Sequence, residues 1–254
     1  MKLAVTGKGG VGKSTVAGAL ALLAAKKGGR VLALDADPDA NLANALGAGG
    51  DIKITPISKQ IGLIEERTGA KVSEYGKVFK LNPEVSDVAD RFAVKINGVD
   101  LVVLGAASRG GGGCACPENA FLKALVADMV LYKNETLIMD MEAGVEHLGR
   151  ATASGVDAVV VVVEPGGRSV ECAATIARMG NEIGIKKFIY VANKVASAED
   201  AKFLRESFGF SPAASIPWSD SIRRADRPGA CVLDFADKKL TENFEAILAA
   251  ATGA

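Results

Sequence analysis

Short apolar runs alternate with longer amphipathic stretches along most of this chain. The strand-like runs are Lys2–Thr6, Val31–Asp35, Val99–Leu104, Thr136–Asp140, Ala158–Val163, Phe188–Ala192 and Ala213–Ile216. Several are apolar almost throughout, the pattern of strands buried on both faces. Helical stretches lie between most of them, at Ser14–Lys27, Glu118–Leu131, Ser169–Gly184 and Ala198–Phe208, and Asp234–Ala251 closes the chain. This alternation predicts a doubly wound α/β fold, a mostly parallel sheet with helices on both faces.

Residues 50–98 fit the alternation less well and read as a variable, insertion-like region. A helix over Ile57–Thr68 is expected there among short polar strands. Asn97-Gly98 is a turn signal between Phe92–Ile96 and Val99–Leu104, which predicts a hairpin. No internal repeat, low-complexity tract or linker interrupts the pattern, so residues 1–254 are expected to form a single domain.

At 254 residues and 49% hydrophobic content, the chain is long enough to bury a large core. Lys plus Arg number 30 and Asp plus Glu 30, so no general electrostatic grip on nucleic acid or anionic lipid is expected. The opening MKLAVTG is too short for a signal sequence, and no apolar run reaches the ~18 residues of a membrane span. Four cysteines do not make a disulfide scaffold, so a reducing, cytoplasmic location is expected. Cys172 and Cys231 read as packed small residues.

Directly after the first strand stands GKGGVGKS, Gly7 to Ser14, opening a helix. It matches G-x-x-x-x-G-K-[ST] in the strand–loop–helix context that the chemistry needs. The glycines let backbone N–H groups turn toward phosphate oxygens, and the helix adds its positive end. Lys13 is expected to reach the β- and γ-phosphates of ATP, or the β-phosphate of ADP, and Ser14 to place its hydroxyl on Mg²⁺. Gly9, Gly10, Val11, Gly12, Lys13, Ser14 and Thr15 are the candidate nucleotide-binding residues of the loop.

Lys8, inside the loop, is not required by an ordinary phosphate loop. With it, KGGVGK resembles the deviant Walker A motif of the MinD, ParA and nitrogenase iron protein group. The resemblance implies a homodimer in which Lys8 reaches the partner's nucleotide. It would supply positive charge to the transferring phosphoryl group only on closure. LDADPDANL then resembles the first switch. Asp37 and Asp39 are the implied catalytic carboxylates, orienting water and hydrated Mg²⁺, although Asp39 could instead cap a helix from Ala40. LIMDMEAGVEH resembles the Walker B carboxylate and second switch, with Asp140 meeting Mg²⁺ through water and Glu142, Gly144 and His147 as switch residues. VANK and SIPWSDSIRRADRPGACV resemble the segments that frame adenine, implying roles for Asn193 and Pro217.

The Gly-rich loop 105–120 carries GGGGCACPENA, with Cys114 and Cys116 one residue apart. Two thiolates at this spacing can face one ion, and two copies related by dimer symmetry give Cys₄. That donor set suits a soft or borderline divalent ion, tetrahedral for zinc and square-planar for nickel. The iron protein carries a second cluster cysteine in its second switch; here that segment holds His147, the single histidine of the chain, so a redox role is not expected. His147 reads as a switch residue, a further metal ligand or a surface histidine. The deviant loop, the Cys-x-Cys and the EHLGR segment together resemble the CO dehydrogenase maturation ATPases of the CooC type. This implies an ATPase that inserts nickel into a client such as carbon monoxide dehydrogenase or acetyl-CoA synthase. With zero net charge and a closing segment LTENFEAILAAATGA poor in Lys and Arg, no nucleic-acid or membrane partner is expected. An iron–sulfur scaffold or carrier ATPase and a MinD/ParA-type partitioning ATPase are the alternatives.

Overall fold

A computed structural model describes residues 1–49, 52–73, 78–106, 116–145, 148–226 and 230–253. Among them the strands are β1 (Lys2–Thr6), β2 (Val31–Asp35), β3 (Val94–Ile96), β4 (Val99–Val103), β5 (Thr136–Asp140), β6 (Ala158–Val163), β7 (Phe188–Val195) and β8 (Ala214–Pro217). They form one sheet in the order β3-β4-β2-β5-β1-β6-β7-β8. Every neighbouring pair is parallel except β3–β4, the antiparallel hairpin that turns at Asn97-Gly98. Asn97 has φ 47° and Gly98 φ 86°, the left-handed pair that a two-residue hairpin turn demands.

Successive strand residues face opposite layers. Leu3, Val5, Val31, Ala33, Ile138, Val160 and Val162 pack on one side, against α1 (Lys13–Lys26) and α10 (Lys238–Thr252). Ala4, Leu32, Leu34, Leu137, Met139, Val159 and Val161 pack on the other, against α3 (Ile61–Thr68), α5 (Pro117–Leu131) and α7 (Gly167–Ile183). Burial on both faces is why these strands read as unbroken apolar runs. Helix α1 is buried from Val16 to Ala24 without a polar stripe, because the sheet, α10 and the short α2 (Leu42–Ala45) surround it.

The doubly wound fold expected from the pattern is therefore present, and several boundaries are corrected. The helix expected over Ile57–Thr68 divides: a 3₁₀ turn spans Ile57–Lys59 after Pro56, and α3 begins only at Ile61. The closing helix begins at Lys238, not Asp234, because Asp237 caps it by accepting from the Leu240 N–H at 2.7 Å. Of the short polar strands expected in 50–98, β3 alone forms among the described residues. Four short helices have no counterpart in the pattern: α2, α4 (Val88–Phe92), α6 (Arg150–Ala153) and α9 (Asp220–Asp226). Helix α8 (Ala198–Phe208) forms as expected, closed by a reciprocal cap between Ser197 and Asp200.

Candidate functional site

The parallel strands deliver their C-terminal ends to one edge of the sheet. There β1, β5 and β2 lie side by side, with Val5 opposite Asp140 and Asp140 opposite Asp35. The loop from Gly7 to Gly12 leaves β1 at this edge and turns into α1. Two glycines in it are obligatory. Gly7 has φ 151°, and a Cβ there would meet the Val162 carbonyl at 2.3 Å. Gly12 has φ 95°, and a Cβ would meet Asn193 Nδ2 at 2.4 Å.

Beneath this loop opens a cleft of about 360 Å³. Its lining brings together Gly9, Gly10, Gly12, Lys13, Ser14 and Thr15 with Asp37, Asp39 and Glu142. Lys13 is buried, and its Nζ stands 3.3 Å from Asp37 Oδ2. Asp39 is exposed. It does not cap a helix from Ala40; its own N–H donates to Asp37 Oδ1 at 3.1 Å. Asp35 instead accepts from the N–H groups of Asp37 (3.2 Å) and of Leu42 (2.9 Å), the first residue of α2, and so shapes the whole turn.

Asp140 is fully buried, and neither carboxylate oxygen has a hydrogen-bond partner of good geometry among the described residues. Burial pushes its carboxyl up to about 7, opposed by the Ser14 hydroxyl and reinforced by Asp35. Burial also pushes Asp35 up to about 6, against its two backbone hydrogen bonds. A buried carboxylate with free oxygens, next to Ser14 and facing a phosphate-sized cleft, fits a hydrated divalent cation.

The second switch is tied to the first strand. Thr6 Oγ1 lies 2.8 Å from the Glu142 carbonyl and 2.9 Å from that of Gly144, and accepts from the Gly144 N–H at 3.1 Å. Sequence reasoning missed Thr6; a threonine at a strand end carries no distinctive signal. Asn193 is buried, and its Nδ2 donates to the Val11 carbonyl at 2.7 Å. It buttresses the loop from behind and is not among the residues lining the cleft. Pro217 ends β8, exposed and likewise outside the lining. The far wall is Asn44 and Ala45 together with Ile222, Ala225, Ala230 and Val232, the last four from the SIPWSDSIRRADRPGACV segment whose resemblance implied a place at the adenine; none was singled out individually.

The Gly-rich loop follows β4 at the same sheet edge and ends on α5. Cys116 caps that helix, its Sγ accepting from the Asn119 N–H at 3.5 Å, with Pro117 at the first helical position. Cys114, the glycines Gly110–Gly113 and His147 lie outside the described residues. Among the described residues no set of three or more His, Cys, Asp or Glu side chains could hold a metal ion, and Cys116, Cys172 and Cys231 are in no disulfide.

A glycine-rich loop between a buried parallel strand and a helix, with a lysine, a serine and a buried aspartate converging on it, defines the P-loop nucleotide hydrolase class. The family model of the CobQ/CobB/MinD/ParA nucleotide-binding domain matches residues 2–230. The carbon monoxide dehydrogenase accessory protein CooC of Rhodospirillum rubrum is 44% identical over 239 residues, 93% of this chain and 90% of that protein. An uncharacterized ATP-binding protein of Methanocaldococcus jannaschii is 38% identical over 97% of this chain and 96% of its own. In fold, a ParA family ATPase from Chlorobium tepidum superposes with a TM-score of 0.69 at 18% identity, covering 98% of this chain and 97% of that one. The chain belongs to the CobQ/CobB/MinD/ParA nucleotide-binding family, and it is an ATPase. Among the described residues no helix is long and apolar enough to cross a membrane.

Proposed function

We propose that this ATPase works as a nucleotide-gated homodimer that carries nickel between paired Cys114-x-Cys116 segments. Its client would be a nickel enzyme, carbon monoxide dehydrogenase or the acetyl-CoA synthase site. The observation that carries the reading is the 44% identity to a carbon monoxide dehydrogenase accessory protein over 93% of the chain. The Cys-x-Cys segment supports it, because the loop that bears it leaves β4 at the nucleotide edge and returns through α5.

The hydrolytic chemistry follows from the residues at the cleft. Loop N–H groups and the start of α1 hold the polyphosphate. Lys13 exchanges its contact with Asp37 for the β- and γ-phosphates, which frees Asp37 to orient the attacking water together with Asp39. Ser14 and, through water, Asp140 would hold Mg²⁺, which neutralises charge on the β- and γ-phosphate oxygens. Lys8 acts on the nucleotide of the other subunit, and products are ADP and phosphate. Asn193 keeps the loop in register through Val11.

The test is an anaerobic Ni²⁺ titration with molecular mass and bound metal read together. One Ni²⁺ per two chains, with metal and metal-dependent dimer both lost in the Cys114→Ala/Cys116→Ala variant, is the expected result. Lys13→Ala should lose hydrolysis by at least ~100-fold while still binding nickel. Equal nickel affinity in the double cysteine variant overturns the reading. A dark, iron- and sulfide-bearing dimer replaces it with an iron–sulfur carrier.

A further inference from the structure

Lys8 is not free in the isolated chain. Its Nζ lies 3.1 Å from Glu164 Oε1, on the residue that follows β6. The other oxygen of Glu164 lies 3.4 Å from Lys194 Nζ, and that ammonium donates to the Gly10 carbonyl at 2.5 Å. Two cations from different segments thus share one carboxylate at the rim of the phosphate loop. Lys194 reaches this position through irregular backbone. The β7–β8 register shifts between Ala192 and Val195, and Lys194 itself has φ 57°, a conformation that costs a residue with a Cβ. Glu164 is held in turn by its N–H, which donates to Ser169 Oγ at 3.1 Å.

We propose that Glu164 is a positioning residue that keeps Lys8 on its own subunit until closure, and that Lys194 takes over the vacated carboxylate. The inference rests on the reading that Lys8 acts across a dimer. A lysine paired with Glu164 cannot at the same time reach a second subunit's nucleotide, so closure must break this pair. Without a substitute, the departing ammonium would leave a bare carboxylate beside the bound polyphosphate, and the two would repel. Lys194 is already in contact and prevents that. The pair is partly exposed, with side chains 38% and 26% accessible. An ion pair of that exposure biases an equilibrium by about 1.4- to 5-fold. That is enough to favour the parked lysine in the open state and weak enough for a phosphoryl group to displace.

Sedimentation equilibrium with Mg²⁺ and a non-hydrolysable ATP analogue tests this, on wild type, Glu164→Gln, Lys8→Ala and the double variant. Two pairs break per dimer, so Glu164→Gln should dimerise at a concentration about 2- to 25-fold lower than wild type. In the Lys8→Ala background the same change should have no effect. Glu164→Gln dimerising no more tightly than wild type, or shifting Lys8→Ala equally, overturns the proposal. Lys8→Ala that dimerises and hydrolyses like wild type overturns the dimer-crossing reading itself, a different pattern. Should Glu164→Gln fail to fold, Lys194→Met gives the second arm. It should weaken dimerisation, and unchanged dimerisation would remove the takeover by Lys194.

Discussion

A carboxylate fully buried at the end of a central parallel strand is costly to ionise. Asp140 is in that position, pushed up to about 7, and Asp35 beside it is pushed up to about 6. Both lie above the ordinary 3.8, so between about pH 4 and pH 7 the folded chain holds more protons than the unfolded one. Stability of the nucleotide- and metal-free protein should therefore fall as pH rises through that window. Asp87 and Asp90 act in the opposite sense, because Arg67 holds the first and Lys133 and Arg30 the second below the ordinary range. Their contribution is lost only as pH falls below about 4, so the two effects separate. Urea unfolding at pH 5.5 and pH 8 measures the slope, and a flat profile would contradict the burial argument. Asp140→Asn should remove much of the slope and raise stability at pH 8 by on the order of 2 kcal/mol. The same change should abolish Mg²⁺-dependent hydrolysis. A variant that is more stable yet inactive is what a functional carboxylate held at a cost predicts.

At the scale of the element, the phosphate loop is held by an amide on a different strand. Asn193 Nδ2 bonds the Val11 carbonyl, and the same nitrogen occupies the space a Cβ on Gly12 would need. Gly12→Ala should therefore displace the buttress as well as strain a φ of 95°. The cost is about 1–3 kcal/mol of stability, with ATP affinity lower by at least ~10-fold. Asn193→Ala should cost about 1 kcal/mol and weaken ATP in the same direction but less. Calorimetric titration with ATP ranks the two, and an Asn193→Ala protein with wild-type affinity would show that the loop needs no buttress. This pairing also marks what sequence could and could not reveal. The seven strands expected from apolar runs, the Asn97-Gly98 hairpin and the long helices were legible because each carries its own period or turn signal. Helices of four to seven residues such as α2 and α9 were not, since packing rather than periodicity stabilises them. The P-loop glycines and Lys13 stood out by spacing, and Asp140 and the 215–232 segment by resemblance to known motifs. Thr6, the hydrogen bonds of Asp35 to the following turn and the wall residues Asn44 and Ala45 did not stand out, because each acts through a neighbour that no local pattern marks.

For the whole molecule, the question is how the nucleotide's state could be felt at the cysteines. Two routes leave the nucleotide edge, one through hydrogen bonds and one along the chain. One runs from Thr6 through its contacts with the Glu142 and Gly144 carbonyls into the second switch. The other runs from β4, which pairs with β2 up to Asp35–Val103, into the loop that ends at the Cys116 cap of α5. β1 and β4 each pair with a strand that ends in a buried carboxylate, β1 with β5 at Asp140 and β4 with β2 at Asp35. In the proposed dimer, a change in nucleotide that moves these switches would alter the separation of the two Cys-x-Cys segments, and binding linkage would make the effect reciprocal. Nickel affinity measured with a non-hydrolysable ATP analogue should differ from that with ADP by about 5- to 150-fold, the ordinary span of such coupling. Nickel must then change the ratio of the two nucleotide affinities by the same factor. Thr6→Val keeps the strand but removes the hydroxyl, so it should shrink that factor while leaving nickel affinity in the ADP state near wild type. Coupling that survives Thr6→Val intact would assign the signal to the β4 route alone. Coupling near unity in wild type would mean that nickel release is driven by the client and not by hydrolysis.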